Sequence, residues 1–300
     1  MDRDLLSHLP VVVAVAKRGG FAAAAAELNT SPSNVSHAIR AVEKRLGLPL
    51  FARTTRSVSL TEAGELFVRA TSDAIQEVNA AWETVQSQRT GASGLLRINA
   101  PRIAYPWFLE RVFEEMQARY PSVTVEYFFD DGLSDVVGEG FDAGIRLGHM
   151  IAADMVAVPL AGPFQVITVA SPDYLSRNGV PAGISDLDEH QCIQYRMTSA
   201  GNIYEWEYRD GKRDTSVRTA GGIVVNDMII ALDLARSGHG ICYTFEPLAA
   251  ADLKSGALTE ILPDAARQQP GLSCYYPRRA SESPKLRAFV DSAKAVFSQP

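Results

Sequence analysis

Apolar residues recur at three- and four-residue steps through the first ninety positions, and the pattern is interrupted by glycine, proline and serine. Leu5, Leu6, Leu9, Val12, Val13 and Ala16 mark one face of a first helix, which Gly19 and Gly20 stop. Phe21, Ala24, Ala25 and Leu28 repeat the pattern in a short second helix, and Asn29 and Thr30 make the turn. Ser31 then offers an N-cap oxygen, and Pro32 takes the first helical position, where a missing N–H does no harm. Val35, Ile39, Val42 and Leu46 form the buried stripe of this third helix, and Gly47 ends it. Residues 48–61 alternate apolar and polar around Arg53, Thr54, Thr55 and Arg56, which predicts a short two-stranded wing with cations at its tip.

From Thr61 to about Arg89 there is no proline, and Gly64 is the sole glycine. Ala63, Phe67, Ala70, Ala74, Val78, Ala81 and Val85 step by threes and fours, a seam of near-heptad spacing. So long an amphipathic helix needs a partner: the same helix of a second copy, parallel or antiparallel, or its own domain. Gly/Ser-containing residues 87–94 mark the boundary that follows. Beyond it the pattern predicts strands at 95–100, 123–129, 143–147, 156–160, 164–170, 223–225, 240–245 and 272–277. Helices are expected at 105–120, at 227–238, from about 283 to 297, and briefly after 129. Strands alternating with helices predict parallel α/β sheets.

Composition narrows the function. A hydrophobic content of 46% over 300 residues suits two or three cored domains. The net charge of −6 excludes a uniformly basic chain that coats nucleic acid. Charge is nevertheless uneven: residues 30–60 carry Arg40, Lys44, Arg45, Arg53 and Arg56 against Glu43 alone. A basic patch on an acidic protein suggests one surface for phosphates. Cys192, Cys242 and Cys274 are too widely spaced for a metal or redox pair and read as buried thiols of a reducing compartment. No signal-type apolar core opens the chain and no apolar run approaches the ~20 residues of a membrane span, so a cytoplasmic protein without membrane contact is expected.

Enzyme chemistry finds no support. There is no Gly-x-x-x-x-Gly-Lys-Ser/Thr loop, and residues 238–243 supply two glycines of a dinucleotide fingerprint without the third. His8, His37, His149, His190 and His239 lack metal-ligand spacing, so neither metal nor cofactor is expected.

The face of the third helix opposite its apolar stripe carries Ser33, Ser36, His37 and Arg40. Polar groups there suit base edges, the helix start with Ser31 and Ser33 suits a phosphate, Pro32 between them is a further candidate DNA contact, and Arg40 could reach a guanine edge or the backbone. Arg53, Thr54 and Arg56 of the wing could straddle phosphates or enter the minor groove.

Gly19 to Phe21, Ala24, Ala25, Leu28, Ser31 to Ser33, Val35, Ser36, Ile39, Glu43, Leu46, Gly47, Leu50 to Arg56, Leu60, Thr61 and Gly64 together closely resemble the winged helix-turn-helix of LysR-type transcriptional regulators. Gly20 departs from the serine common at that cap, and His37 stands at a variable, base-facing position. Residues 141–148, 169–175, 179–181 and 186–190 resemble the same family's effector domain. The resemblance implies an α/β protein: an all-α winged helix-turn-helix domain at 1–60, a dimerisation helix at 61–90, and a two-lobed effector-binding domain of the periplasmic-binding-protein type at 91–300. Lobe one takes 93–162 and 268–300, and lobe two takes 163–267. It further implies a homodimer or homotetramer joined through Phe67, Ala70, Ala74, Val78, Ala81 and Val85, bound to double-stranded DNA at an interrupted palindromic operator.

A small-molecule effector, with an organic anion as one candidate, would lie beyond the strand ends between the lobes. Ala100, Arg102, Asp130, His149, Tyr195, Arg196, Asn226 and Phe245 are the candidate contacts, although Asp130 and Asp131 argue against a purely anionic ligand. Arg146, inside a strand, reads as structural. RNA polymerase is a candidate partner. A ligand-independent architectural DNA-binding protein is the alternative, and it would not need the two-lobed domain.

Overall fold

The computed structural model describes residues 3–53, 58–132, 136, 138–211 and 213–298. The chain divides into two compact units, the first formed by residues 1–91. Here α1 (Arg3–Arg18), α2 (Phe21–Glu27) and α3 (Pro32–Leu46) precede β1 (Phe51–Arg53), β2 (Val58–Leu60) and the 29-residue α4 (Glu62–Thr90). Val12, Val15, Ala24, Ala25, Val35, Ile39, Val42, Leu50 and Phe51 form their common core. At 100° per residue Leu46 shares the arc of Val35, Ile39 and Val42, yet it is 40% exposed because it lies past the end of that core, whereas Ala38 is buried.

The strands of the wing pair antiparallel, Phe51 opposite Leu60 and Arg53 opposite Val58. Their base is tied to two helices. The Glu43 carboxylate of α3 accepts from the Leu50 and Phe51 amides at 2.9 and 3.2 Å. The Thr61 hydroxyl donates to the Pro49 carbonyl at 2.8 Å and accepts from Gly64 N–H at 3.0 Å, which caps α4. A Cβ at Gly64 would stand 2.0 Å from the Leu50 carbonyl oxygen, so only glycine lets α4 approach the wing this closely.

The second unit runs β3 (Gly94–Ala100), a wide turn at Tyr105–Leu109, α5 (Glu110–Arg119), β4 (Val123–Phe129), β5 (Ala143–Leu147), β6 (Met155–Pro159) and β7 (Phe164–Ala170). Next come α6 (Pro172–Asn178), β8 (Ile193–Tyr195), β9 (Trp206–Asp210), β10 (Arg213–Val217), β11 (Ile223–Val225), α7 (Met228–Arg236), β12 (Cys242–Phe245) and α8 (Glu246–Ser255). Last are β13 (Thr259–Ile261), β14 (Arg267–Gln269), β15 (Leu272–Pro277) and α9 (Pro284–Ser298).

One sheet has the order β4-β3-β5-β15-β6; a second has β12-β7-β13 with β14 also on β7, and β8 pairs with β11. The sheets are not wholly parallel as the alternation of elements predicts: the first is mixed, and in the second β12, β13 and β14 all run antiparallel to β7. β3 is parallel to β4 and β5, but β15 re-enters from the other lobe and runs antiparallel to both β5 and β6. The short helix expected after β4 falls partly outside the described residues, and residues 138–140 form a turn.

Each lobe has its own core. Leu96, Ile98, Phe108, Met116, Ile145, Cys274 and Phe289 fill lobe one, and burial of each such large side chain stabilises by about 1.5–3 kcal/mol. In lobe two, Trp206 stacks on Tyr243 at 5.4 Å between ring centres, and a further cluster gathers around Ile167, Val169 and Leu232. Trp107 packs against both lobes, 4.8 Å edge-on to Phe164. The two crossovers lie side by side: Leu160 and Ala161 amides donate to the Leu272 carbonyl at 2.9 and 3.1 Å. A Cβ on Gly271 would sit 1.6 Å from the Ala161 oxygen, so this close approach of the crossovers requires glycine.

Candidate functional site

The start of α3 is built as its sequence suggests. Ser31 Oγ accepts from Asn34 N–H at 3.2 Å with Pro32 in the first turn, and Asn34 Nδ2 donates to Thr30 Oγ1 at 3.1 Å. Val35, Ala38, Ile39 and Val42 take the buried side. Ser33, His37 and Arg40 stand exposed on the far side and Ser36 is half-buried. Lys44 continues the same face, one turn beyond Arg40, and helical spacing alone could have added it to the candidates. Arg40, His37 and Lys44 have no hydrogen-bond or ion-pair partner among the described residues. The result is a polar, cationic stripe about 16 Å long at 1.5 Å per residue, free to take external acceptors. Arg53 ends β1, with only its backbone described, and Thr54 and Arg56 lie outside the described residues.

Along α4 the predicted seam divides. Phe67, near its start, packs with Val68 on the core of its own domain, so it is already occupied. Ala70, Ala74 and Ala81 are exposed, as are Val78 (69%) and Val85 (66%). Trp82, 68% exposed and one turn after Val78, belongs to the same stripe, and its four-residue spacing from Val78 was the available signal.

Between the lobes, Arg102 is the centre of charge. Its backbone N–H donates to Asp131 Oδ1 at 2.9 Å and its Nη1 to Asp131 Oδ2 at 3.0 Å, both within lobe one. Its Nε lies 3.5 Å from Asp227 Oδ2 of lobe two. The pairing with Asp131 raises the Arg102 pKa further. Asp227 caps α7, where its Oδ1 accepts from the Ile229 and Ile230 amides at 2.9 and 3.3 Å. Half-buried Tyr195 adjoins this group; burial foremost, then the Asp131 and Asp227 charges, push its phenol up to about 12. Asp130 Oδ1 accepts from Gly132 N–H at 2.9 Å. Arg146, buried in β5, donates to Asn99 Oδ1 at 2.6 Å and to the Asp130 and Gly132 carbonyls at 3.1 and 2.6 Å. It thereby holds the acidic loop in place.

Other candidates go elsewhere. Ala100 is fully buried in the lobe-one core, so its methyl faces no cleft. Phe245 packs on Phe164 at 4.9 Å, beside the hinge. Arg196 is exposed and donates to its own turn, at the Gly201 carbonyl, 2.7 Å away. Asn226 is exposed, and of His149 only the backbone is described. Arg102 is not the spare counter-charge for an organic anion that the sequence suggests, because two carboxylates already share it.

Cys192, Cys242 and Cys274 are free and buried, their thiols pushed up to about 12 by burial. Among the described residues no helix is long and apolar enough to cross a membrane, and no cluster of three His, Cys, Asp or Glu could hold a metal.

Residues 6–65 match the model of the bacterial regulatory helix-turn-helix protein, lysR family, and residues 89–298 match the LysR substrate binding domain. The chain is 36% identical to the uncharacterized HTH-type transcriptional regulator YcaN of Escherichia coli K12, over 96% of this chain and 94% of that one. It is 33% identical to the HTH-type transcriptional regulator PgrR of the same organism, over 98% of both. The solved structure of CrgA, a LysR-type transcriptional regulator from Neisseria meningitidis, is similar with a TM-score of 0.63 and 25% identity, over 96% of this chain and 97% of that one.

Proposed function

The chain belongs to the LysR family of transcriptional regulators, and from that premise we propose which of its residues meet DNA, a second copy and the effector. It is a transcriptional regulator with a helix-turn-helix DNA-binding domain and a two-lobed effector-binding domain, and not an enzyme. Its family binds DNA and small-molecule effectors and forms oligomers.

The observation that carries the proposal is the unpartnered stripe of Ser33, His37, Arg40 and Lys44 on a helix whose other side is fully packed. α3 enters the major groove by this face, its start with Ser31 and Ser33 lies against a phosphate with Pro32 between them, and Arg53, Thr54 and Arg56 extend the contact along the backbone. Residues 1–60 form this reading head and 61–90 the dimer helix. Val78, Ala81, Trp82 and Val85 cover the same stripe of a second copy, with Ala70 and Ala74 beside them. Two heads then read an interrupted palindrome, with half-sites one helical turn or a multiple of it apart. The effector sits between lobe one (93–162 and 268–300) and lobe two (163–267), against Arg102, Asp130, Asp131, Tyr195 and Asp227. The protein works in the cytoplasm, with RNA polymerase as a candidate partner of the DNA-bound oligomer.

Selection of DNA from a random pool with the full chain tests the reading. An enriched inverted repeat is the expected product, and enrichment without two-fold symmetry would reject the paired reading heads.

A further inference from the structure

We infer that Arg102 is a latch between the lobes: one guanidinium, fixed to lobe one by Asp131, holds lobe two through Asp227. The two bonds to Asp131, from backbone N–H and from Nη1, lie within a single lobe and survive any hinge motion. The 3.5 Å pair to Asp227 is the longer one and the one that spans the cleft. A rotation about the paired crossovers at Leu160–Ala161 and Leu272 that opens the cleft lengthens it.

Asp227 is suited to this task because its oxygens are divided. Oδ1 serves the first turn of α7 through Ile229 and Ile230, and Oδ2 faces Arg102. Charge on lobe one is thus connected to the start of a lobe-two helix. Half-buried Tyr195 stands close enough to feel the charges of Asp131, Asp227 and Arg102, so it belongs to the same group. Close by, a Cβ on Gly132 of lobe one would stand 3.3 Å from Ser199 Oγ of lobe two, so the lobes meet on this side as well. The latch requires no effector and goes beyond the assignment of the cleft as the effector site. Occupants that compete for Arg102 or Asp227 release it, and the differential contact shifts the lobe equilibrium.

The test measures lobe separation without ligand. Full-length chains with spin labels at Ala152→Cys and Ala200→Cys, exposed positions on the two lobes, are diluted in unlabelled chains, and the inter-label distance is read by electron–electron resonance. Asp227→Asn removes the charge but keeps a good N-cap oxygen, so α7 should remain folded, as circular dichroism checks. It is expected to move the distance distribution to longer separations, and Arg102→Gln to move it as far. The double variant should go no further than either single one, since both remove the same pair. High salt should shift the wild type in the same direction. An unchanged distribution in a folded Asp227→Asn, or additive shifts in the double variant, would overturn the latch while leaving the effector assignment untouched.

Discussion

Arg40 and Arg102 are both half of a possible ion pair, and they have opposite fates. Arg40 stands exposed on α3 with no partner among the described residues, in a row with Ser33, His37 and Lys44. Arg102 is shared by Asp131 and Asp227 across a cleft. An unpaired, solvated cation can exchange water and counterions for a phosphate or a base edge without breaking any internal bond. A cation already held by two carboxylates can bind a newcomer only by releasing something, which turns binding into movement. The first unit therefore presents open surfaces, and the second contains committed ones.

The largest test of that contrast concerns the widest open surface. Val78→Asp with Trp82→Asp should leave α4 helical but dissociate the oligomer, because burying two unpaired carboxylates in an apolar seam is prohibitive. Sedimentation should report a monomer, and operator affinity should fall by about 100-fold or more as the second half-site is lost. A dimer of undiminished stability would show that the stripe is not the interface.

Next comes the most committed cation. Arg146→Met removes the donor for Asn99 and for the Asp130 and Gly132 carbonyls, leaving buried acceptors unsatisfied at a loss of about 3 kcal/mol. Denaturant unfolding of the full chain should register this in the transition of the second unit, with DNA affinity retained. A loss under ~0.5 kcal/mol, the scale of an ordinary surface change, would mean that the loop holds itself.

Arg40→Ala is expected to weaken operator binding by about 1–3 kcal/mol if the guanidinium reads a base. If it meets phosphate only, affinity should drop evenly across sequences and the salt slope should shrink by about one. Wild-type affinity and salt slope in the variant would remove α3 from the DNA. The smallest effect is expected at Gly20, which caps α2 with extended backbone and no side-chain bond, and where an added Cβ meets nothing within 4 Å. Gly20→Ser should stabilise the first unit by a few tenths of a kcal/mol, visible as a slightly higher Tm.

Local patterns made the first unit almost wholly legible. Ser31 with Pro32, followed by Val35, Ile39 and Val42, specifies the start and the buried side of α3, because caps and the 3.6-residue period act within one helix. The same locality made β15 at 272–277 and β7 at 164–170 readable residue for residue. It did not reveal that β15 runs against its neighbours, since direction depends on a crossover from the other lobe. The β9–β10 hairpin was also missed, although Trp206 and Tyr208 are among the most buried side chains. Glu43 reads as a lone acid in a basic stretch, and only folding shows that it anchors the wing. The strand-end rule proposes Arg102, Asp130 and Tyr195, which lie together near Asp131, and also Ala100 and Phe245, which packing claims.

By itself the sequence determined the three helices, the cap, the wing strands, the exposed cationic stripe and most strands of the second unit. Each of these follows from residues a few positions apart, where period, cap and turn chemistry leave little choice. Tertiary structure decided which side chains are already taken. Phe67 went to its own core while Trp82 stayed bare, and Arg102 met a carboxylate 125 positions away along the chain. Such pairings depend on how the chain returns through a hinge, and no local pattern encodes that.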